Sequence, residues 1–219
     1  MGWDTDPYEE YPDETLWALS AFFSQQMSLA HALFPQAQFI RWVTESRSKC
    51  QNECMVLYSL LALGTVFTGA SHPFAKLCVE RATKAVDAKF AKFSIALVQS
   101  RMFLSFYNHA KGRDSPGWEL SGGSVRALLA ENLNTEEGCI NSNNRFGLDR
   151  NLFGLSDEQM VESKRRTFWA VFLLDVSAQS NSGWKGSLSL TRVLANYVFL
   201  CWTHGRYPRR PGLSPCPVL

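Results

Sequence analysis

No uninterrupted apolar stretch in this chain of 219 residues approaches the roughly 20 that a membrane-spanning helix needs. Near the C-terminus, Val193 to Trp202 runs for ten residues and includes Asn196, so no transmembrane helix is expected. Cysteine is sparse: six residues, at 50, 54, 78, 139, 201 and 216. Only Cys50 and Cys54 are close. Three intervening residues without a second pair nearby make a poor zinc knuckle, and a disulfide scaffold does not suit this size. The N-terminus is acidic rather than basic then apolar, which is not a secretory leader. All six cysteines read as reduced thiols of an intracellular compartment. A net charge of +2 gives no bulk excess of either sign, which excludes a highly basic DNA-binding module and an acidic tail protein. With 46% hydrophobic and 19% charged residues, the chain is not a disordered one either.

What is present is aromatic mass, 15 Phe and 7 Trp, enough to fill a large interior. The charge is also unevenly placed. Residues 1–14 carry six acids (Asp4, Asp6, Glu9, Glu10, Asp13 and Glu14) and no base. Residues 184–219 carry five bases (Lys185, Arg192, Arg206, Arg209 and Arg210) and no acid. The reading is an acidic disordered N-terminus over 1–12, a balanced helical body over 13–183, and a divergent, largely irregular basic tail over 184–219. Four of the nine prolines (Pro208, Pro211, Pro215 and Pro217) lie in that tail and argue against helix or sheet there.

The periodicity of the body predicts an all-α fold, a bundle of about seven helices with irregular termini. Leu16, Leu19, Phe23, Met27 and Ala30 recur every three or four residues, placing a first helix over 13–33, stopped by Phe34-Pro35. Helices over 37–46 and 52–68 follow, then one over 73–90 opened by Pro73. Ser94 caps a fifth, to about Asn108, that is apolar nearly all round and so belongs at the centre. A sixth starts at Ser115-Pro116 and ends near Leu133. Residues 134–155 read as the one long loop. Ser156 with Gln159 three positions later is a capping box for a seventh helix to about Gln179. No stretch alternates long enough to be a strand, and no repeat of solenoid length is visible.

No catalytic motif survives inspection: no nucleophile elbow, no phosphate-cradling glycine loop, no histidine pair one helical turn apart. His31, His72, His109 and His204 are isolated in sequence. Ser121-Gly-Gly-Ser124 falls inside the sixth helix, where the glycines are expected to admit a neighbouring helix, at about 1 kcal/mol each in helix propensity. The strongest signal is Glu162-Ser-Lys-Arg165-Arg166-Thr-Phe168-Trp169-Ala-Val-Phe172-Leu-Leu-Asp175. Arg165 and Asp175 fall near the apolar stripe of that helix, and Arg101 lies between Leu97 and Leu104 on the fifth. A charge on an apolar face must be paired. These residues and Arg126 are therefore expected to be structural polar ties between helices, with Arg126 or Arg101 meeting Asp175. A sharper reading makes them ligand-binding or switch residues. The breadth of Phe168, Trp169, Phe172 and Leu173 around the seventh helix also predicts an apolar patch that needs a partner.

Phe93 to Tyr107, Trp118 with Ser124-Val-Arg126-Ala-Leu, Asn134-Thr-Glu-Glu137 and the Lys164–Asp175 segment together resemble the fungal-specific transcription factor domain. This is the middle homology region, or xylanolytic activator regulatory domain, of fungal regulators. The resemblance covers about 15–183, and Arg165-Arg166-Thr-Phe168-Trp169 through Leu174-Asp175 is its most specific part. After Ser182-Gly183 it stops, as expected of a truncated member. It implies a helical regulatory domain of a nuclear transcription regulator. Zinc and DNA contacts in that family belong to a separate N-terminal binuclear cluster or two-Cys two-His fingers, which match no residue here. No cofactor is therefore expected in this chain, and its expected partners are proteins, a second copy or an effector. A competing reading is a helical enzyme of terpene-cyclase type, but the adjacent acids Glu136-Glu137 have no second acid at helical spacing to share a magnesium ion. A third is a non-functional gene fragment.

Overall fold

The computed structural model describes residues 4–25, 33–68, 73–89, 93–141 and 152–181. Among them are nine α-helices and no strand. They are α1 (Pro7–Glu10), α2 (Pro12–Gln25), α3 (Gln36–Glu45), α4 (Gln51–Val66), α5 (Pro73–Ala88), α6 (Ile95–Ala110), α7 (Asp114–Ala130), α8 (Glu136–Asn141) and α9 (Asp157–Asn181). The all-α expectation holds. Two of the nine were not anticipated: α1 lies in the supposedly disordered terminus and α8 in the supposed long loop. The expected tail over 184–219, with Cys201, His204 and Cys216, lies outside the described residues, as do His31 and His72.

Helix α4 is buried continuously from Asn52 to Thr65. It can be so because α1, α2, α5 and α6 all pack around it. Helix α6 is the second central element, touching α4, α5, α7 and α9. Its start is set as expected, with the Ser94 hydroxyl accepting from the Leu97 amide at 3.2 Å. The close approach of α2 to α4 depends on Gly64, where a Cβ would collide with the Ala18 carbonyl. Phe22 then meets Phe23 and Phe103 edge-on at centroid distances of 5.4 and 5.8 Å. Each such buried ring contributes about 1.5–3 kcal/mol by leaving water.

The acidic N-terminus is ordered because its carboxylates find cations elsewhere in the fold. Asp6 caps α1 through the Tyr8 amide and pairs with Lys49. Lys49 also donates to the Val43 and Ser46 carbonyls at 2.9 and 2.8 Å, so the ammonium closes the C-terminal end of α3. Three donors meet three acceptors, which is the condition for burying a lysine. Glu10 pairs with Arg81 of α5 at 2.7 Å, and that guanidinium lies over the Tyr58 ring. The sequence reading took residues 1–12 for an acidic disordered terminus, whereas Asp6 and Glu10 tie α1 to the α3–α4 connection and to α5.

A short 3-10 turn, Leu152–Gly154, leads into α9. Phe153 adopts φ 60°, a left-handed conformation that costs a non-glycine residue about 1–3 kcal/mol. Two contacts offset that strain. Its amide donates to Glu53 Oε1 at 2.9 Å, and its ring inserts among Phe34, Phe39 and Trp42. The other Glu53 oxygen accepts from the Cys50 amide at 2.8 Å, so one buried carboxylate caps α4 and holds the turn. The predicted capping box of α9 is present, with Ser156 and Gln159 exchanging bonds of 2.9 and 3.3 Å. Gln159 also exchanges amide bonds with Gln38, fastening α3 to the start of α9.

Candidate functional site

Helices α6 and α7 form an antiparallel hairpin turned at Gly112, whose φ of 68° suits glycine. Their contact rests on small residues, but not on the two glycines singled out in the sequence. Gly117, Ser121, Ser124 and Ala127 are the buried small residues of α7. Ser105 donates to the Gly117 carbonyl at 2.6 Å and Ser124 to the Val98 carbonyl at 3.0 Å, bonds that need the two backbones close. A Cβ at Gly117 would meet the His109 ring. His109, one of the isolated histidines, lies 3.5 Å from Asp114 through Nδ1.

Gly122 and Gly123 instead carry two guanidiniums. The Arg126 guanidinium lies back over Gly122, and the Arg101 side chain crosses from α6 to lie against Gly123. Arg101 Nη1 donates to the Gly123 carbonyl at 3.0 Å. Burial holds the Arg101 pKa below the ordinary arginine value; the charge of Arg126 lowers it further, and Asp87 of α5 acts against both. Two of the four expected polar ties are thus neighbours of one another. Neither forms an ion pair among the described residues, in which respect they differ from the pairing with Asp175 anticipated above.

Arg165 lies elsewhere. Its Nε donates to both Glu136 oxygens at 3.1 Å and its Nη1 to Glu162 at 3.3 Å, with Nη2 also against Glu136. It fastens α9 to α8, and Glu162 also accepts from Arg166 at 2.6 Å. Asp175 is half-buried further along α9 and engaged in an interaction of its own. The α6–α9 contact depends on a residue that the sequence reading passed over. Gln99 is fully buried and donates to Ser163 and Thr167 at 3.3 and 3.1 Å. A lone glutamine in the apolar run Ile95–Leu104, facing hydroxyls four residues apart on α9, was the available signal.

The outer face of α7 is unusually apolar. Trp118, Val125 and Leu129 fall on one helical face, with Gly122 between them and Arg126 on its border. Trp118 is 59% exposed and Leu129 50%. A second apolar region lies on α9, where Phe168, Trp169 and Phe172 form a ring cluster and Phe172 is 43% exposed. The buried thiols are unreactive in character: burial pushes Cys54 up to about 12 and Cys139 up to about 11. Among the described residues no group of three His, Cys, Asp or Glu could hold a metal ion, and no helix is long and apolar enough to cross a membrane. The arrangement offers packed helices and charged, apolar outer faces, which suit recognition.

Comparison with known proteins agrees with the resemblance. The model of the fungal specific transcription factor domain matches residues 16–192. The depudecin biosynthesis cluster-specific transcription activator of Fusarium langsethiae is 22% identical over 187 residues, 79% of this chain. The chain spans 29% of that activator's length. No solved structure matches. With most of its helical body matched by one family model, this chain belongs to the fungal specific transcription factor domain family.

Proposed function

We propose that this chain is a regulatory domain of a fungal transcription factor, acting in the nucleus through protein or effector contacts and reading no DNA sequence itself. The family match over residues 16–192 carries the reading. The charge pattern supports it: in the basic run Lys164-Arg165-Arg166 of α9 both arginines are paired with Glu136 or Glu162, and the net charge of +2 gives little phosphate attraction. Arg165, in the segment that carries the most specific part of the family resemblance, is engaged with Glu136 and Glu162, which supports a structural role for it.

Fusing the chain to an unrelated DNA-binding domain with a reporter downstream tests the regulatory part. Reporter output should change relative to the DNA-binding domain alone, and an unchanged output in both directions rejects it. A mobility-shift assay with the chain alone tests the other part. Tight, salt-resistant preference for one duplex over scrambled DNA would overturn the claim that it reads no sequence.

A further inference from the structure

We infer that the Arg101–Arg126 pair and the adjoining outer face of α7 form a docking site for an acidic peptide segment bearing apolar side chains, supplied by a protein partner. This rests on the regulatory reading above and names the chemistry of its partner.

The argument begins with charge. Two guanidiniums share one notch, one over Gly122 and one against Gly123. Arg101 is half-buried and its charge is disfavoured both by burial and by its neighbour. Asp87 is the acid whose field reaches it, yet no carboxylate closes on either arginine among the described residues. The remaining chain has little to offer. Of its 20 acidic residues, Asp149 alone lies outside the described set. Three other partly buried cations of the fold are treated differently. Lys49, Arg81 and Arg165 each hold a carboxylate. Half-buried Arg101 departs from that pattern: it spends Nη1 on the Gly123 carbonyl and, with exposed Arg126 beside it, presents an incoming carboxylate with guanidinium planes, which bind by two parallel bonds.

The second half of the argument is the surface beside them. Trp118 and Leu129 expose apolar area on the same face of α7, with half-buried Val125 between. Gly122 lies between them on that face, with the Arg126 guanidinium over it. A free carboxylate or phosphate would use the arginines and leave this apolar stripe wet. A nucleic-acid backbone would want a longer track of bases. An acidic segment with one or two aromatic or aliphatic side chains uses both halves, the charge setting orientation and the ring or methyl groups supplying burial.

Fluorescence polarisation with the full chain tests this. The probe is a labelled peptide of about ten residues alternating Asp with Phe and Leu; the controls replace every Asp by Asn, or every Phe and Leu by Ser. Binding of the acidic-apolar peptide should exceed both controls by about ten-fold or more. It should weaken about five-fold or more in R126Q and in W118S, both surface changes, and recede as salt is raised. Equal binding of the Asn control, or undiminished binding by R126Q, overturns the proposal. So does displacement of the peptide by inorganic phosphate or a DNA duplex at lower concentration than by unlabelled peptide. The fused-reporter assay reads the regulatory role independently, so a chain that regulates and yet ignores the peptide sinks this site alone.

Discussion

Lys49 and Asp6 form an ion pair 43 residues apart in which the lysine side chain is wholly buried and the carboxylate nearly so. The pair joins the first helical turn of the chain to the α3–α4 connection. Removing the cation leaves a carboxylate in a dry place, and this is costlier than the pair is worth. Lys49→Met should therefore lower stability by about 3–5 kcal/mol. The double variant D6N/K49M should recover part of that loss, because asparagine still caps the Tyr8 amide without a charge. Urea denaturation of the three proteins checks it, and a double variant no better than Lys49→Met would refute the account.

A pH dependence follows from Glu10. Burial raises its pKa, but hydrogen bonds from Thr5 and Arg81 and the charge of Arg81 outweigh it, leaving the carboxyl below its ordinary value of 4.5. A group depressed in the folded state adds stability above its unfolded pKa and loses it as pH falls through the folded one. The urea midpoint of the native chain should thus fall as pH drops below the ordinary carboxyl value of 4.5, more steeply than that of Glu10→Gln. Parallel profiles would show that the Arg81 contact contributes nothing. The effect is small, since a third of the Glu10 side chain is exposed to solvent.

Adding one methyl group at Gly64 should be severe and at Gly122 benign. At Gly64 the new carbon meets the Ala18 carbonyl and stands 3.4 Å from Phe22 Cβ, so α2 and α4 must separate. Overpacking of this kind costs about 1–3 kcal/mol. At Gly122 it meets only the tip of the Arg126 side chain, which can move. There the gain in helix propensity, about 1 kcal/mol, should show as an unchanged or raised melting temperature. Equal effects at the two positions would contradict the packing described.

Local signals in the chain were readable and distant ones were not. The Ser94 cap and the Ser156–Gln159 box depend on groups within three residues, and both are found where the pattern places them. Lys49 draws its partners from positions 6, 43 and 46, a set that no periodicity announces. Helix α8 escaped notice because its six residues, Glu136–Asn141, are too few to show an apolar period. With α8 unrecognised, the engagement of Arg165 with Glu136 was equally hidden. Glycine pairs mislead for a related reason: Gly122 and Gly123 look like a helix-packing notch, but the serines at 121 and 124 and the glycine at 117 face α6 instead.

The Glu53 carboxylate waits for an amide 100 residues away. During synthesis α4 leaves the ribosome long before Phe153 does, so for most of that interval its first turn holds an acid whose second oxygen has no protein donor. The N-terminal half can collapse around α4, but it cannot close over that oxygen until the Leu152–Gly154 turn arrives. At roughly 5–20 residues per second, this leaves a window of about 5–20 s in which the aromatic pocket of Phe34, Phe39 and Trp42 stands open. Until the Leu152–Gly154 turn arrives, the nascent chain therefore offers that aromatic pocket to chaperones and proteases.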